Sequence, residues 1–166
     1  MTQTQQIGYF AAGCFWGVEQ AFRELDGVLE TEVGYTGGTS TAPSYEEVCG
    51  KQSGHAEAVK VVFDADRISY QALLDQFWTI HDPTQINRQG PDIGDQYRSE
   101  IFTVDDTQTA LATASKAAQD ASGNHSAPIA TLITPLGKWW VAEDYHQQYF
   151  EKRGGGACAI SVRNRA

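Results

Sequence analysis

Strand-period and helix-period segments alternate along this chain in an order close to βαβ–βαβαβα, which predicts an α+β fold. The specific expectation is a two-layer α/β sandwich, a ferredoxin-like split βαβ plait with additions and long loops. Two further observations support it. The crossovers are long enough for helices to pack on a sheet, and 166 residues suffice to bury roughly two-thirds of the unfolded surface in one core. No repeat, low-complexity block or linker interrupts the chain, so residues 1–166 are expected to form a single domain ending in a flexible tail that carries Cys158.

The elements follow in order. Residues 7–11 read as a short strand running into Cys14. Over 15–25, Phe15, Val18, Phe22 and Leu25 recur at helical spacing and form one apolar stripe, and the i,i+4 spacing of Glu19 and Arg23 allows them to pair. Trp16 lies about 100° off that stripe, so it is available to wall a site. Asp26-Gly27 stops the helix; 28–35 is a second strand closed by Gly37-Gly38. A loop-rich stretch with Pro43, Tyr45 and Cys49 leads to a strand at 56–63. Ser69 caps a helix through Ile80, with Leu73, Phe77 and Ile80 on one face. Residues 81–98, with Pro83, Gly90, Pro91 and Gly94, read as a long loop of the kind that carries function. A strand at 100–104, an Ala-rich helix capped by Asp105 or Asp106, a strand at 129–134 and a helix over 142–152 complete the order.

Composition narrows the function classes. A net charge of −9 argues against a nucleic acid or an anionic membrane as partner. No run of about 18 apolar residues is present, so no membrane span is expected. Residues 1–6 show no basic cluster leading into an apolar core, so no signal peptide is expected either. The three cysteines are sparse and form no CxxC pair, which fits a reducing, cytoplasmic setting. No large apolar face is left over, and a monomer is expected.

Cys14 is the most informative residue. It sits in Gly13-Cys14-Phe15-Trp16-Gly17, where a strand ends and a helix begins. Unpaired N–H groups and the positive dipole end of a helix stabilise a thiolate there. The alternative is a small buried hydrophobe, the common fate of a cysteine. His55 and Glu57 lie two apart and face one side if extended; burial would keep Glu57 protonated, whereas an edge-strand position would leave it in water. Tyr45 and Tyr97 either donate hydrogen bonds into a cleft or seal a core edge. Asp92 by default shapes a turn. Cys158 follows Gly154-Gly155-Gly156, a hinge suited to a mobile thiol, while the acidic neighbours of Cys49 mark it as a spectator. Cysteine and histidine are too scattered for a metal site, and none is expected.

Gly13-Cys14-Phe15-Trp16-Gly17 is similar to the signature of the A-type peptide methionine sulfoxide reductases. So, in order, are Val33-Gly34-Tyr35-Thr36-Gly37-Gly38, Tyr45-Glu46-Glu47-Val48-Cys49, Gly54-His55-Ala56-Glu57-Ala58-Val59, His81-Asp82-Pro83-Thr84, Asn87-Arg88-Gln89-Gly90, Gln96-Tyr97-Arg98-Ser99 and Ala142-Glu143-Asp144-Tyr145-His146-Gln147-Gln148-Tyr149. The resemblance implies reduction of methionine S-sulfoxide, free or in a peptide, in the repair of oxidised proteins. It makes Cys14 the nucleophile, Glu57 the acid, and Phe15 and Trp16 the pocket for the substrate methyl. Tyr45 and Tyr97 surround the sulfoxide oxygen, and Asp92 orders the site. It further implies a Cys14 sulfenic acid, a Cys14–Cys158 disulfide and recycling by thioredoxin, with no bound cofactor. Many relatives carry two cysteines near the C-terminus; here Cys158 stands alone there. The loop at Cys49-Gly50-Lys51-Gln52-Ser53 also departs from the usual form, and Val141 replaces a usual proline.

Two rival classes remain. A cysteine hydrolase or acyl-transferase would use His55 or His146 as the base for Cys14. A binding module for methionine-rich or oxidised peptides would use the aromatic pair without chemistry.

Overall fold

The computed structural model describes residues 4–50 and 53–152. The sheet is built on four strands, β1 (Gln5–Ala12), β2 (Val28–Thr36), β3 (Ala56–Asp64) and β6 (Ser99–Thr103). Strand β3 lies between β1 and β2 and is antiparallel to both, so β1, the helix α1 (Phe15–Arg23) and β2 form a crossover split by β3. Strand β1 is in turn antiparallel to β6, and α3 (Tyr70–Thr79) links β3 to β6. Two short strands extend the edges, giving the order β7-β6-β1-β3-β2-β8: β7 (Leu132–Pro135) is parallel to β6 and β8 (Trp140–Val141) antiparallel to β2.

Period-two alternation divides the side chains of the sheet between two cores. Phe10 of β1, Val33 and Tyr35 of β2, and Val59, Val61 and Phe63 of β3 face one way, where Phe15, Val18 and Phe22 of α1 and Leu73, Leu74 and Phe77 of α3 pack on them. Ala112 of α4 (Asp106–Ala121) joins this main core. On the opposite face Tyr9, Ala11, Ala56, Ala58 and Phe102 form a smaller cluster covered by Leu136 and Trp139. The Trp139 indole donates to Glu32 at 2.6 Å, which satisfies its N–H.

Four expectations need correction. Residues 44–49 are not all loop: α2 (Tyr45–Cys49) is a short helix, closed by a capping box between Ser44 and Glu47. The 81–98 loop holds a two-residue hairpin, β4 (Arg88–Gln89) with β5 (Asp92–Ile93), and a 3-10 turn at Asp95–Tyr97. The strand expected at 129–134 is shifted to Leu132–Pro135. The helix expected over 142–152 does not form. Its place is taken by β8, a 3-10 turn at Asp144–His146 and the one-turn α5 (Tyr149–Lys152). Gln148 stands at φ 47°, and its neighbour Gln147 binds the backbone N–H and C=O of Val33 through its amide. Side-chain bonds to β2 outcompete helical pairing there.

Candidate active site

Strand β1 ends at Ala12, Gly13 turns the chain, and Cys14 is the N-cap of α1. Gly13 is required for two reasons. Its φ of +105° suits glycine, and a β-carbon there would meet the Gln89 side chain at 3.0 Å. Gln89 is buried and clasps the backbone of Asp82 with both ends of its amide, at 2.8 and 2.9 Å. Gln89 thus links the hairpin carrying Asp92 to Asp82 and packs closely on the Gly13 turn that presents Cys14. The sulfur is part-buried.

Glu57 arrives from β3. It continues the row Val59, Val61, Phe63 on the face that packs against α1, at the end of the strand nearest the helix start. Its Oε1 accepts the Phe15 N–H at 3.3 Å, the first N–H of α1. Its Oε2 is buried with no hydrogen-bond partner. Burial pushes this carboxyl up to about 8; the Phe15 N–H opposes the shift and the charge of Asp92 adds to it. Glu57 is therefore an acid at neutral pH, held at the helix start beside Cys14.

The phenols come from two loops. Tyr45 opens α2, stacks on Phe15 and Trp16 (centroids 6.4 and 6.5 Å apart), and hydrogen-bonds through its hydroxyl to the Cys49 side chain. Tyr97 ends the 3-10 turn, which Arg98 secures by pairing with Glu100 at 2.7 Å and donating to the Asp95 carbonyl at 2.9 Å. Burial raises both hydroxyls above the ordinary phenol value, and Glu57, once ionised above about pH 8, raises them further. Tyr97 also feels Cys49, Cys14 and Asp92, so these groups share one electrostatic neighbourhood with it. The structure thus brings Cys14, Phe15, Trp16, Tyr45, Glu57, Asp92 and Tyr97 together. Cys158 lies outside the described residues.

Trp16 is off the buried stripe of α1, as its position predicts. Its indole stacks on Tyr149 of α5 with centroids 3.8 Å apart and planes 7° from parallel. Its N–H donates to His146 Nδ1 at 2.9 Å.

Four further residues touch this cluster: Cys49, Glu143, His146 and Tyr149. Cys49, read as a spectator, is in contact with Tyr45; burial raises its thiol, the Tyr45 hydroxyl lowers it, and the charges of Glu57 and Glu143 raise it again. Glu143 accepts from the Tyr35 hydroxyl at 2.8 Å and the Tyr45 N–H at 3.0 Å, anchoring both tyrosines. Burial pushes Glu143 up, but these bonds and the nearby His146 hold it below the usual range. His146 and Tyr149 support Trp16. All but Cys49 belong to the 142–149 motif, whose reading as a continuous helix concealed its contacts.

Of the two histidines a hydrolase would use, His55 is committed elsewhere at both ring nitrogens and His146 at Nδ1. His55 accepts the Gly38 N–H at Nδ1 (3.0 Å) and bonds the Ser40 carbonyl through Nε2 (2.7 Å), so it shapes the 38–40 loop. A β-carbon on Gly38 would collide with the backbone of His55 and Ser53, which explains that glycine. His81 bonds the Phe77 carbonyl and Ser99, and Nδ1 of His146 is taken by Trp16. Among the described residues no three His, Cys, Asp or Glu side chains gather to hold a metal ion, and no helix is long and apolar enough to cross a membrane.

A thiol at a helix start, a neutral carboxyl and two phenol donors form an arrangement for thiol attack on a group whose oxygen needs a proton. The family model for peptide methionine sulfoxide reductase matches residues 6–166. Peptide methionine sulfoxide reductase MsrA of Methanoculleus marisnigri is 60% identical over 149 residues, 90% of this chain and 91% of that protein. MsrA of Geobacter metallireducens is 56% identical, covering 90% and 92%. Among solved structures, reduced Mxr1 of Saccharomyces cerevisiae superposes with a TM-score of 0.86 at 35% identity, covering 98% of this chain and 93% of that one. Mxr1 in complex with Trx2 matches at 26% identity with a TM-score of 0.61, covering 90% and 87%. The chain belongs to the peptide methionine sulfoxide reductase family.

Proposed function

We propose that this protein reduces the S epimer of methionine sulfoxide, free or in peptides, with Cys14 as nucleophile and Glu57 as acid. The observation that carries the reading is Glu57, a buried carboxyl kept protonated to about pH 8 at the helix start that bears Cys14. A sulfoxide sulfur resists a thiolate until its oxygen is protonated, because oxide is a very poor leaving group. Glu57 supplies the proton, Tyr45 and Tyr97 donate hydrogen bonds to the same oxygen, and Asp92 helps to order the site. Phe15 and Trp16 receive the methyl group. The sulfoxide gains two electrons and leaves as methionine; Cys14 loses them and becomes a sulfenic acid. The Cys158 thiol then attacks that sulfur, forming a Cys14–Cys158 disulfide and releasing water.

An external dithiol, thioredoxin, reduces the disulfide by exchange; the complex of the related Mxr1 with Trx2 supports such a partner. No bound cofactor is required. We read residues 1–166 as one domain acting as a monomer in the cytoplasm, and the four central strands, in the order β6-β1-β3-β2, as a split βαβ plait.

The test is single-turnover reduction of the separate S and R epimers of N-acetyl-methionine sulfoxide by reduced protein, with thiols counted afterwards. S-selective methionine formation with two thiols lost per methionine is expected, and Cys158→Ser should spare that turnover while blocking further ones. No methionine from either epimer would refute the assignment.

A further inference from the structure

His146 is a buried titratable side chain against the aromatic wall of the site, and the chemistry above does not use it. Its ring is fully buried. It packs between Phe15, Tyr45 and Tyr145 at centroid distances of 5.2, 4.5 and 4.1 Å. Its Nδ1 accepts the Trp16 indole N–H at 2.9 Å. An indole nitrogen only donates, so Nδ1 carries no proton and the neutral ring holds its proton on Nε2. Nε2 is buried with no hydrogen-bond partner. An imidazolium here would set two N–H groups against each other at Nδ1 and leave a charged donor unanswered at Nε2. Burial and the field of Glu143 act on the ring in opposite senses, and burial prevails.

Trp16 has further supports, but they do a different job. Tyr149 stacks flat on it and Phe150 meets it edge-on, with centroids 6.4 Å apart and planes at 65°. Stacking sets the plane of an indole while allowing it to slide and turn within that plane. The N–H···N bond is directional and sets the angle in the plane. We propose that His146 is a positioning residue of the substrate pocket, fixing the in-plane orientation of Trp16 through an acceptor that only its neutral ring offers. The inference rests on Trp16 being a wall of the methyl pocket. Loss of the acceptor loosens recognition of the sulfoxide rather than its chemistry, because the ring's one hydrogen bond goes to Trp16 and none goes to the proton donor Glu57.

The test compares two variants in steady-state assays on N-acetyl-methionine S-sulfoxide with thioredoxin. His146→Leu removes the acceptor, whereas His146→Asn places a carbonyl oxygen near the Nδ1 position. The leucine variant should raise KM roughly five- to tenfold, the worth of one hydrogen bond, with kcat changed by less than about twofold. The asparagine variant should restore KM to within about twofold of the original. In 15N-labelled protein, the Trp16 indole N–H resonance, assigned by its loss in Trp16→Phe, should move upfield in His146→Leu and return in His146→Asn. Should the leucine variant fail to fold, His146→Gln, whose amide reaches past the Nδ1 position, takes its place with the same expectation. An unchanged KM or an unmoved indole resonance overturns the proposal and leaves the reductase reading intact. Wild-type protein that makes no methionine overturns that reading, and the pocket role of His146 with it.

Discussion

Glu57 owes its proton to its place in a period-two row. Strand β3 sends Val59, Val61 and Phe63 into the main core, and Glu57 occupies the next position of the same face. There it is 1% exposed, with the Phe15 N–H as its hydrogen-bond partner. Desolvation dominates, and the neutral form is preferred up to about pH 8. This has a consequence for stability. An unfolded glutamate ionises near pH 4.5, so between that value and about 8 the native state binds a proton that the unfolded state has released. Stability therefore falls as pH rises through that window. Glu57→Gln keeps an acceptor for the Phe15 N–H and cannot ionise. It should be more stable than the wild type at pH 8 and equal to it at pH 4, read from urea midpoints. A difference that is constant with pH would show that Glu57 ionises alike in both states.

Helix α1 and the segment before α5 are joined by a buried polar clamp. Glu19, 1% exposed, accepts from the Gln148 N–H (2.8 Å), the Gln148 amide (2.9 Å) and the Thr31 hydroxyl (2.7 Å). Arg23 adds a bond to Thr31 and an ion pair with Glu151. Gln148 pays for these contacts with a φ of 47°. Gln148→Ala loses the side-chain bonds and keeps the strain, so it should destabilise the protein by about 1–3 kcal/mol. Gln148→Gly loses the same bonds but relieves the strain, and should be less damaging by about 1 kcal/mol in urea denaturation. The opposite ranking would mean that the backbone there is not strained. This clamp also explains what was hard to read. The helix α1 was legible because Phe15, Val18 and Phe22 face the core at regular spacing. The 142–152 segment shows similar aromatic spacing, but its shape is decided by Gln147 and Gln148 reaching β2 and α1, contacts more than 110 positions apart in sequence. The short helix α2 carried its signal openly in Ser44 and Glu47; a loop-rich composition masked it.

At the scale of the whole molecule, three separate regions converge on the start of α1: the first residues of β3, the capped turn at Tyr45, and the hairpin and 3-10 turn carrying Asp92 and Tyr97. The site residues were legible as sequence motifs, and their convergence follows from the sheet order, which places β3 beside β1. Segment 143–149 then backs the site from behind, through Glu143 on Tyr45, His146 on Trp16 and Tyr149 stacked on Trp16. On the proposed mechanism Glu57 delivers the proton that lets Cys14 take the sulfoxide oxygen. The most direct measurement is the single-turnover rate of methionine formation from the S-sulfoxide as a function of pH, in wild type and Glu57→Gln. The wild-type rate should fall as pH rises through about 8, and the variant should be at least about 100-fold slower with no such fall. A wild-type rate that does not fall above pH 8, or the same fall in both proteins, would contradict the account.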